Sequence, residues 1–176
     1  MEDETQKILK DNEIIIHTYQ NSLNQENISK LLKEINSITN KNKKSIIQLL
    51  NTENICGKKH LKQAIIQSIQ AHFNKQNFAK DKGLEICIRA STQKQITKAL
   101  NILGITENSN VTVVYINTTL DQINKTEKLL GKRDDQLLDQ YNIEHIKKVY
   151  NITNIQLDQY NIQKIINEKI ALLSLD

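Results

Sequence analysis

The sequence predicts an α/β protein in which a small, partly parallel sheet is flanked by helices and followed by a helical C-terminal third. Three observations lead to this fold class. Short runs rich in isoleucine and valine alternate with amphipathic helical stretches through the first two thirds of the chain. Strand–helix–strand order ordinarily gives right-handed crossovers between parallel strands. Beyond residue 118 the apolar residues recur only at helical spacing.

Each predicted element follows from its local pattern. Alternating or continuous apolar runs predict strands at residues 14–19, 46–50, 83–88 and 110–117. Apolar residues at every third or fourth position predict helices at residues 26–39, 58–73, 120–130, 142–150 and 158–173. A further helix is expected to follow a capping box formed by Thr92 and Gln95 and to stop at Gly104. The residues that this helix is predicted to bury are Ile96, Ala99, Leu100 and Leu103.

A six-residue repeat occurs in the helical third. The segment Leu-Asp-Gln-Tyr-Asn-Ile starts at Leu138 and returns at Leu157. A solenoid needs about three or more repeats, so two copies indicate two similar helix entries instead. The Asn and Asp residues of the repeat suit such entry positions, because their side chains can cap a helix.

Length and composition limit the classes of protein that fit. With 176 residues, 38% of them hydrophobic, the chain is large enough for one domain with a substantial core. We expect residues 13–176 to form this single α/β domain and the charged residues 1–12 to be an N-terminal extension. No run approaches the roughly 18 apolar residues of a membrane span, and no signal-peptide segment occurs, so a cytoplasmic protein is expected. The net charge of +4 permits a nucleic-acid partner without requiring one.

No catalytic or metal-binding pattern emerges. Cys56 and Cys87 lie in apolar runs without CxxC spacing, which favours buried reduced thiols, and the four histidines lack metal-ligand spacing. The segment from Gly57 resembles the end of a phosphate-binding loop, but Thr52 replaces the first glycine of that motif and Lys59 its Ser or Thr. No GxSxG motif or Cys–His pair occurs. We therefore predict no catalytic residue, no cofactor and no metal.

Two predicted helix starts carry positive charge, although a helix start already behaves like about half a positive charge. The first is Gly57-Lys58-Lys59-His60, and the second is the segment from Arg89 to Gln95. Each nearby cation is unfavourable by about 0.3–1 kcal/mol, so a bound anion is expected to offset it. Parallel strands would bring both starts to one edge of the sheet. The candidate ligand-binding residues are Lys58, Lys59, His60, Arg89, Ser91, Gln93, Lys94 and Gln95.

Several of these residues are equally compatible with structural roles. His60 is typical of a solvated polar residue in a first helical turn. Arg89 is one of only two arginines, and a structural salt bridge explains it about as well as ligand contact does. Ser91 suits a helix cap as well as a phosphate contact. The C-terminal helix has an apolar surface wider than a single stripe, which indicates either deep burial or a partner surface.

Four segments together resemble the PRPK-binding protein family, in its archaeal form, which is the small kinase-binding subunit of the KEOPS complex. They are residues 60–64 (HLKQA), 89–96 (RASTQKQI), 99–105 (ALNILGI) and 168–173 (EKIALL). The resemblance covers about residues 13–175 and is most specific from residue 55 to residue 116. Thr92 differs from some archaeal relatives, which have glycine at that position.

The resemblance implies a non-enzymatic subunit of the machinery that makes N6-threonylcarbamoyl-adenosine in tRNA. It implies docking on the PRPK kinase-like ATPase and binding of the single-stranded CCA 3′ end of tRNA. On this basis we assign the cationic helix starts to tRNA and the C-terminal helices to the kinase, through Ile165, Lys169, Leu172 and Leu173. Two alternatives remain. One is a general RNA- or nucleotide-binding α/β module, and the other is an enzyme that uses Arg89, Ser91 and His60 on a phosphorylated small molecule.

Overall fold

The computed structural model describes residues 2–175, which form two compact units. The first unit contains the chain up to Thr52 and Ile105–Leu137, and the second contains Glu53–Gly104 and the chain from Leu138 onward. The elements in chain order are α1 (Glu2–Asp11), β1 (Ile14–Tyr19), α2 (Gln25–Thr39), β2 (Ile46–Asn51), α3 (Gly57–Phe73), α4 (Lys82–Ser91), α5 (Ile96–Leu103), β3 (Val111–Ile116), α6 (Leu120–Glu127), α7 (Ile143–Val149), α8 (Asn154–Gln159) and α9 (Ile162–Leu172).

The sheet of the first unit is antiparallel, so the prediction of a partly parallel sheet is wrong. Its strand order is β1-β3-β2, and β3 pairs antiparallel with both neighbours. β1 and β2 therefore run in the same direction, as the strand–helix–strand order indicates, but β3 separates them. All six residues of β3 are buried, which explains why this apolar strand takes the central position.

One face of the sheet packs against α2 and α6. The apolar stripe of α2 contributes Leu31, Ile35 and Ile38 to a core that also contains Val113 and Tyr115 of β3. Hydrogen bonds between side chains on this face add polar links within the core: the Tyr19 hydroxyl lies 2.9 Å from the Tyr115 hydroxyl. The predicted helix 26–39 and the strands 14–19, 46–50 and 110–117 are thus confirmed within one or two residues at their ends.

A short stretch of chain covers the outer edge of β1. The amide of Gln20 donates to the Lys132 carbonyl at 2.8 Å, and the amide of Asp134 donates to the Thr18 carbonyl at 2.8 Å. Between them Tyr19 and Arg133 form an isolated antiparallel bridge. The Arg133 side chain is anchored in turn by Asp135, whose carboxylate lies 2.7 Å from it. Backbone groups of β1 that would face outward are therefore paired at this end of the strand.

The second unit is helical, and the strand predicted at residues 83–88 is wrong. These residues lie in α4, which Asp81 starts by accepting a hydrogen bond from the Leu84 amide at 2.8 Å. Residues 85–91 are all buried, Glu85 and Arg89 included, so the polar pair at helical spacing does not mark a solvent-facing side of the helix. The alternation of Leu84, Ile86 and Ile88 therefore imitates a strand.

The helical third is confirmed, with one helix more than predicted. α6, α7 and α9 correspond to three predicted helices, while α8 was missed and the last helix starts at Ile162 instead of Asp158. Asn142 and Asn161 cap α7 and α9 by accepting hydrogen bonds from backbone amides three residues on, as the repeat predicts. The predicted N-terminal extension forms α1. The expectation of a single domain over residues 13–176 stays a prediction.

Thr92 forms the turn between α4 and α5 in a left-handed conformation, with φ of 56°. The predicted capping box is therefore wrong, because Gln95 itself precedes α5 and makes no side-chain capping bond. A left-handed conformation is unfavourable for a residue with a Cβ and most of all for a β-branched one.

We expect Thr92→Gly to raise the free energy of unfolding by about 0.5–1 kcal/mol, because relief of the left-handed strain exceeds the added flexibility of the unfolded chain. Urea denaturation measures the change. The matched control is Thr97→Gly in the right-handed helix α5, which should lower the same quantity by a few tenths of a kcal/mol, roughly. Equal destabilisation by both substitutions would contradict the strain argument.

Candidate nucleic-acid interface

The first predicted anion site lies at the start of α3, and the protein fills it with its own groups. The Lys58 amide donates to Asp139 Oδ1 at 2.8 Å, and the Gln163 side-chain amide donates to the Cys56 carbonyl at 3.2 Å. Gly57 has φ of 78°, and a Cβ there would come within 2.8 Å of Asp139 Oδ1. We correct the prediction accordingly: a carboxylate of the protein, instead of an external anion, faces this helix start.

Arg89 does not stand at a helix start. It lies in the last turn of α4 and is fully buried. Its Nε donates to Glu85 Oε1 at 2.8 Å, its Nη1 donates to Ser174 Oγ at 2.7 Å, and its Nη2 donates to the Gln76 carbonyl at 3.3 Å. The guanidinium carbon also lies 4.8 Å from the centre of the Phe78 ring. The salt-bridge alternative is the one that the structure supports, and Arg89 is withdrawn from the tRNA assignment because no part of it reaches the surface.

Glu85 is the buried partner of Arg89 and organises the segment before α4. Its second carboxylate oxygen accepts hydrogen bonds from the amides of Phe78 and Ala79, each at 2.8 Å. Each buried charge thus has one opposite charge and further hydrogen bonds, which a buried ion pair needs to offset its desolvation.

His60 is also buried, so both predictions for it, as a surface ligand and as a solvated residue, are wrong. Its Nδ1 accepts the Cys56 amide hydrogen at 2.9 Å, so Nε2 carries the proton and donates to the Ala90 carbonyl at 2.8 Å. The Tyr150 ring packs edge-on against the imidazole with 5.5 Å between ring centres. Burial lowers the pKa of His60 to about 4. The ring therefore ties the start of α3 to the end of α4 as a neutral link.

Ser91 is buried as well, and its hydroxyl donates to the Ile88 carbonyl at 3.0 Å. Ser91 therefore has a structural role, which was one of the two alternatives that its sequence left open. Its hydroxyl bonds to the preceding turn of α4 and does not cap α5. We withdraw His60 and Ser91 from the proposed tRNA contacts because neither side chain is exposed.

Five of the eight candidate residues remain accessible, and the structure brings their two segments together. Because Ala90 is held by His60, the segment that follows α4 lies against the start of α3. The exposed candidates are Lys58, Lys59, Lys94 and Gln95, and Gln93 is half-buried. Residues 53–104 hold nine Lys or Arg and three Asp or Glu. All eight lysines among them are exposed, which gives this region a cationic surface.

This surface also has an apolar part, which was not predicted from the sequence. Ile96 and Leu100 were predicted to be buried, but both are exposed, whereas Ala99 and Leu103 lie in the core. They are four residues apart on α5 and so share one face of that helix, next to Lys94. A count of the apolar residues on α5 could have indicated this, since five apolar positions in eight residues exceed what one buried stripe needs.

Of the four residues assigned to the kinase, some are likewise buried and others are accessible. Ile165 and Leu173 are buried, so they support α9 from inside and are withdrawn as direct contacts. Leu172 is exposed and Lys169 is half-buried. The apolar width of α9 thus reflects both of the alternatives that its sequence left open.

The remaining titratable groups show no arrangement for metal or thiol chemistry. Within residues 2–175 no group of His, Cys, Asp and Glu is placed to hold a metal ion. Cys56 and Cys87 are buried free thiols, as predicted. Burial raises the pKa of Cys56 to about 11 and that of Cys87 to about 12, which keeps both protonated at neutral pH. None of the helices in the described part of the chain is long and apolar enough to span a bilayer.

A cationic and partly apolar surface supported by buried polar residues is characteristic of a protein that binds a partner. The comparisons with known proteins agree with this class. The chain belongs to the CGI-121 family of kinase-binding proteins, because the family described as "Kinase binding protein CGI-121" matches residues 6–174. The chain is also 30% identical over 128 residues to the "Regulatory protein Cgi121" of Methanocaldococcus jannaschii. That alignment covers 73% of this chain and 83% of the relative. The family predicted from the sequence motifs is thereby confirmed.

Arg89→Ala should lower the free energy of unfolding by about 3–5 kcal/mol, because it leaves the Glu85 carboxylate buried and uncompensated. Urea denaturation monitored by circular dichroism measures the loss. The double variant Glu85→Gln/Arg89→Met should recover part of it, since no charge then remains buried. An Arg89→Ala protein as stable as the wild type would contradict the buried ion pair.

Acid should destabilise the protein through His60. Above pH 6.5 the imidazole is neutral in both states, but below it only the unfolded chain takes up the proton until the pH nears the folded pKa of about 4. The free energy of unfolding should therefore fall by about 3 kcal/mol between pH 6.5 and pH 4 on account of this residue.

The non-titrating variant His60→Gln isolates the effect of His60, because burial also lowers the pKa of His17 and of His72. Urea denaturation at several pH values should give a shallower acid-side decline for the variant. Identical pH profiles would show that His60 does not carry the effect.

Proposed function

We propose that this protein is a non-catalytic subunit of the KEOPS complex, which binds the PRPK kinase-like ATPase and the CCA 3′ end of tRNA. In this role it supports N6-threonylcarbamoyl-adenosine modification of tRNA in the cytoplasm without a cofactor of its own. The observation that carries the proposal is membership in a family of kinase-binding proteins over residues 6–174. The name of the archaeal relative, a regulatory protein, is in line with a subunit that carries no active site.

The cationic surface beside the starts of α3 and α5 supports the tRNA part of the proposal. Lys58, Lys59 and Lys94 are exposed there and supply charges for phosphate groups. Glu85 does not weaken this field, since Arg89 neutralises it inside the protein, whereas the Asp139 carboxylate at the start of α3 offsets part of the positive charge there. A single-stranded tail is the form of RNA whose backbone and bases are both accessible to such a surface.

Base contacts are available on the same surface. Gln93 and Gln95 offer amide groups that both donate and accept hydrogen bonds, which suits the exposed edges of unpaired bases. Ile96 and Leu100 provide apolar contacts for base faces, whereas the buried Arg89 guanidinium is not accessible for stacking. Aliphatic contacts are weaker platforms than aromatic rings, so this subunit alone should bind the tail with modest affinity.

Removal of the CCA tail should weaken binding of tRNA to the purified protein by about tenfold, because the tail supplies the unpaired bases and their phosphates. Lys59→Glu should lower the affinity for intact tRNA and reduce the slope of log K against log salt by roughly one to two. Fluorescence anisotropy over a salt series measures both effects.

Lys30→Glu in α2 is the matched control, since it makes the same charge change at an exposed lysine of the first unit. For this variant the slope of log K against log salt should differ only slightly from that of the wild type. If tail removal leaves binding unchanged, the assignment of this surface to the CCA end fails. Equal affinity for tRNA and for unrelated single-stranded RNA would favour the alternative of a general RNA-binding module.

A further inference from the structure

The two phenylalanines of this chain are both exposed, and they lie at the same end of the second unit. Phe73 is the last residue of α3 and is 81% exposed, and Phe78 follows in the connection to α4. Leu172 and Leu175 at the end of α9 are exposed too, Leu175 to 78%. We refer to these four residues as the Phe–Leu patch. Exposed large apolar residues grouped in this way mark an interaction surface.

The buried Arg89 guanidinium is what brings these segments together. It contacts the Phe78 ring, the Gln76 carbonyl three residues beyond Phe73, and the hydroxyl of Ser174 between the two leucines. The turn after α9 is closed further by the Leu175 amide, which donates to the Leu172 carbonyl at 3.0 Å. One side chain thus fixes both the connection between α3 and α4 and the C-terminal turn.

The patch has a basic border. Lys75, Lys80 and Lys82 are exposed in the chain around Phe78, and Lys169 lies beside the exposed Glu168 one helical turn before Leu172. Asp81 is the acidic residue in the stretch around Phe78, and its carboxylate is engaged in capping α4. A complementary partner surface is therefore apolar in its centre and acidic at its edge.

We propose that the kinase docks on the Phe–Leu patch, and that Arg89 is the positioning residue that holds the patch in its docking geometry. This inference rests on the proposed function, and it names the surface of this chain that the kinase contacts. A kinase is the occupant that the family membership favours. The kinase face that fits is apolar with acidic residues at its rim, and phenylalanines such as those here are enriched in the buried centre of interfaces.

The test measures the affinity of the intact protein for its PRPK kinase-like ATPase by isothermal titration calorimetry. Phe73→Ala and Leu175→Ala should each weaken binding about tenfold or more. Ile155→Ala and Leu120→Ala are matched controls, because each side chain is 73% exposed elsewhere in the chain. The controls should change the affinity less than about twofold.

Positioning by Arg89 is tested with Ser174→Ala, which removes one acceptor of Arg89 at an exposed residue and leaves the Glu85 pair intact. The dissociation constant for the kinase should rise about threefold to tenfold, as expected for an indirect contact, while that for tRNA stays at the wild-type value. Arg89→Lys, checked by circular dichroism to be folded, should show the same split. Equal weakening of both affinities would indicate a merely structural role and overturn the positioning argument.

The outcomes separate this inference from the proposed function. If the wild-type protein does not bind the kinase, the proposed function fails and this inference falls with it. If the wild type binds and the patch variants bind equally well, only the docking surface is wrong. Sedimentation of the protein alone gives one more outcome: patch variants that dissociate a dimer without altering kinase affinity would assign the patch to self-association and overturn the proposal.

Discussion

The ion pair between Glu85 and Arg89 is the interaction on which the second unit depends. Both side chains are fully shielded from water, so their desolvation must be offset by the bonds that they make. Glu85 meets this requirement with two backbone amides, and Arg89 meets it with a carbonyl and a hydroxyl. Because those partners belong to the connection before α4 and to the end of α9, a pair on one helix orders two distant stretches of chain. His60 links the start of α3 to the end of α4 without carrying a charge.

Much of the fold could be predicted from local patterns, and the failures have a common cause. β1, α2, β2, α3 and β3 show either a clear period or a β-branched run, and their limits differ little from prediction. Residues 85–91 of α4 are all buried, so apolar residues occur on several sides of the helix and obscure the helical spacing of Glu85 and Arg89. The sheet topology was missed for a different reason. Strand order depends on which strand is most apolar over its whole length, and β3 arrives late in the chain to take the centre.

The candidate site shows how a correct signal can have a different cause. Arg89 stood out because arginine is rare in this chain, and its position does matter, but its partner is a carboxylate of the same helix. Spacing of four between Glu85 and Arg89 is visible in the sequence and would have favoured a helical pair had the segment been treated as a helix. The lysines, in contrast, need only be exposed to contact phosphate groups, and polar residues at a helix start are generally exposed. The segments that carry Lys59 and Lys94 do lie together as predicted, but the parallel strands expected to cause this do not occur in the described part of the chain, and the cause is a tertiary hydrogen bond from His60.

The covered edge of β1 has a consequence for the behaviour of the protein at high concentration. A sheet with open edges is a template on which strands of other molecules can add, and isoleucine-rich strands such as β1 are especially prone to this. The segment around Arg133 already occupies the hydrogen-bonding groups at one end of that strand. Crowded molecules are thereby hindered from joining into continuous fibrous ribbons through this strand.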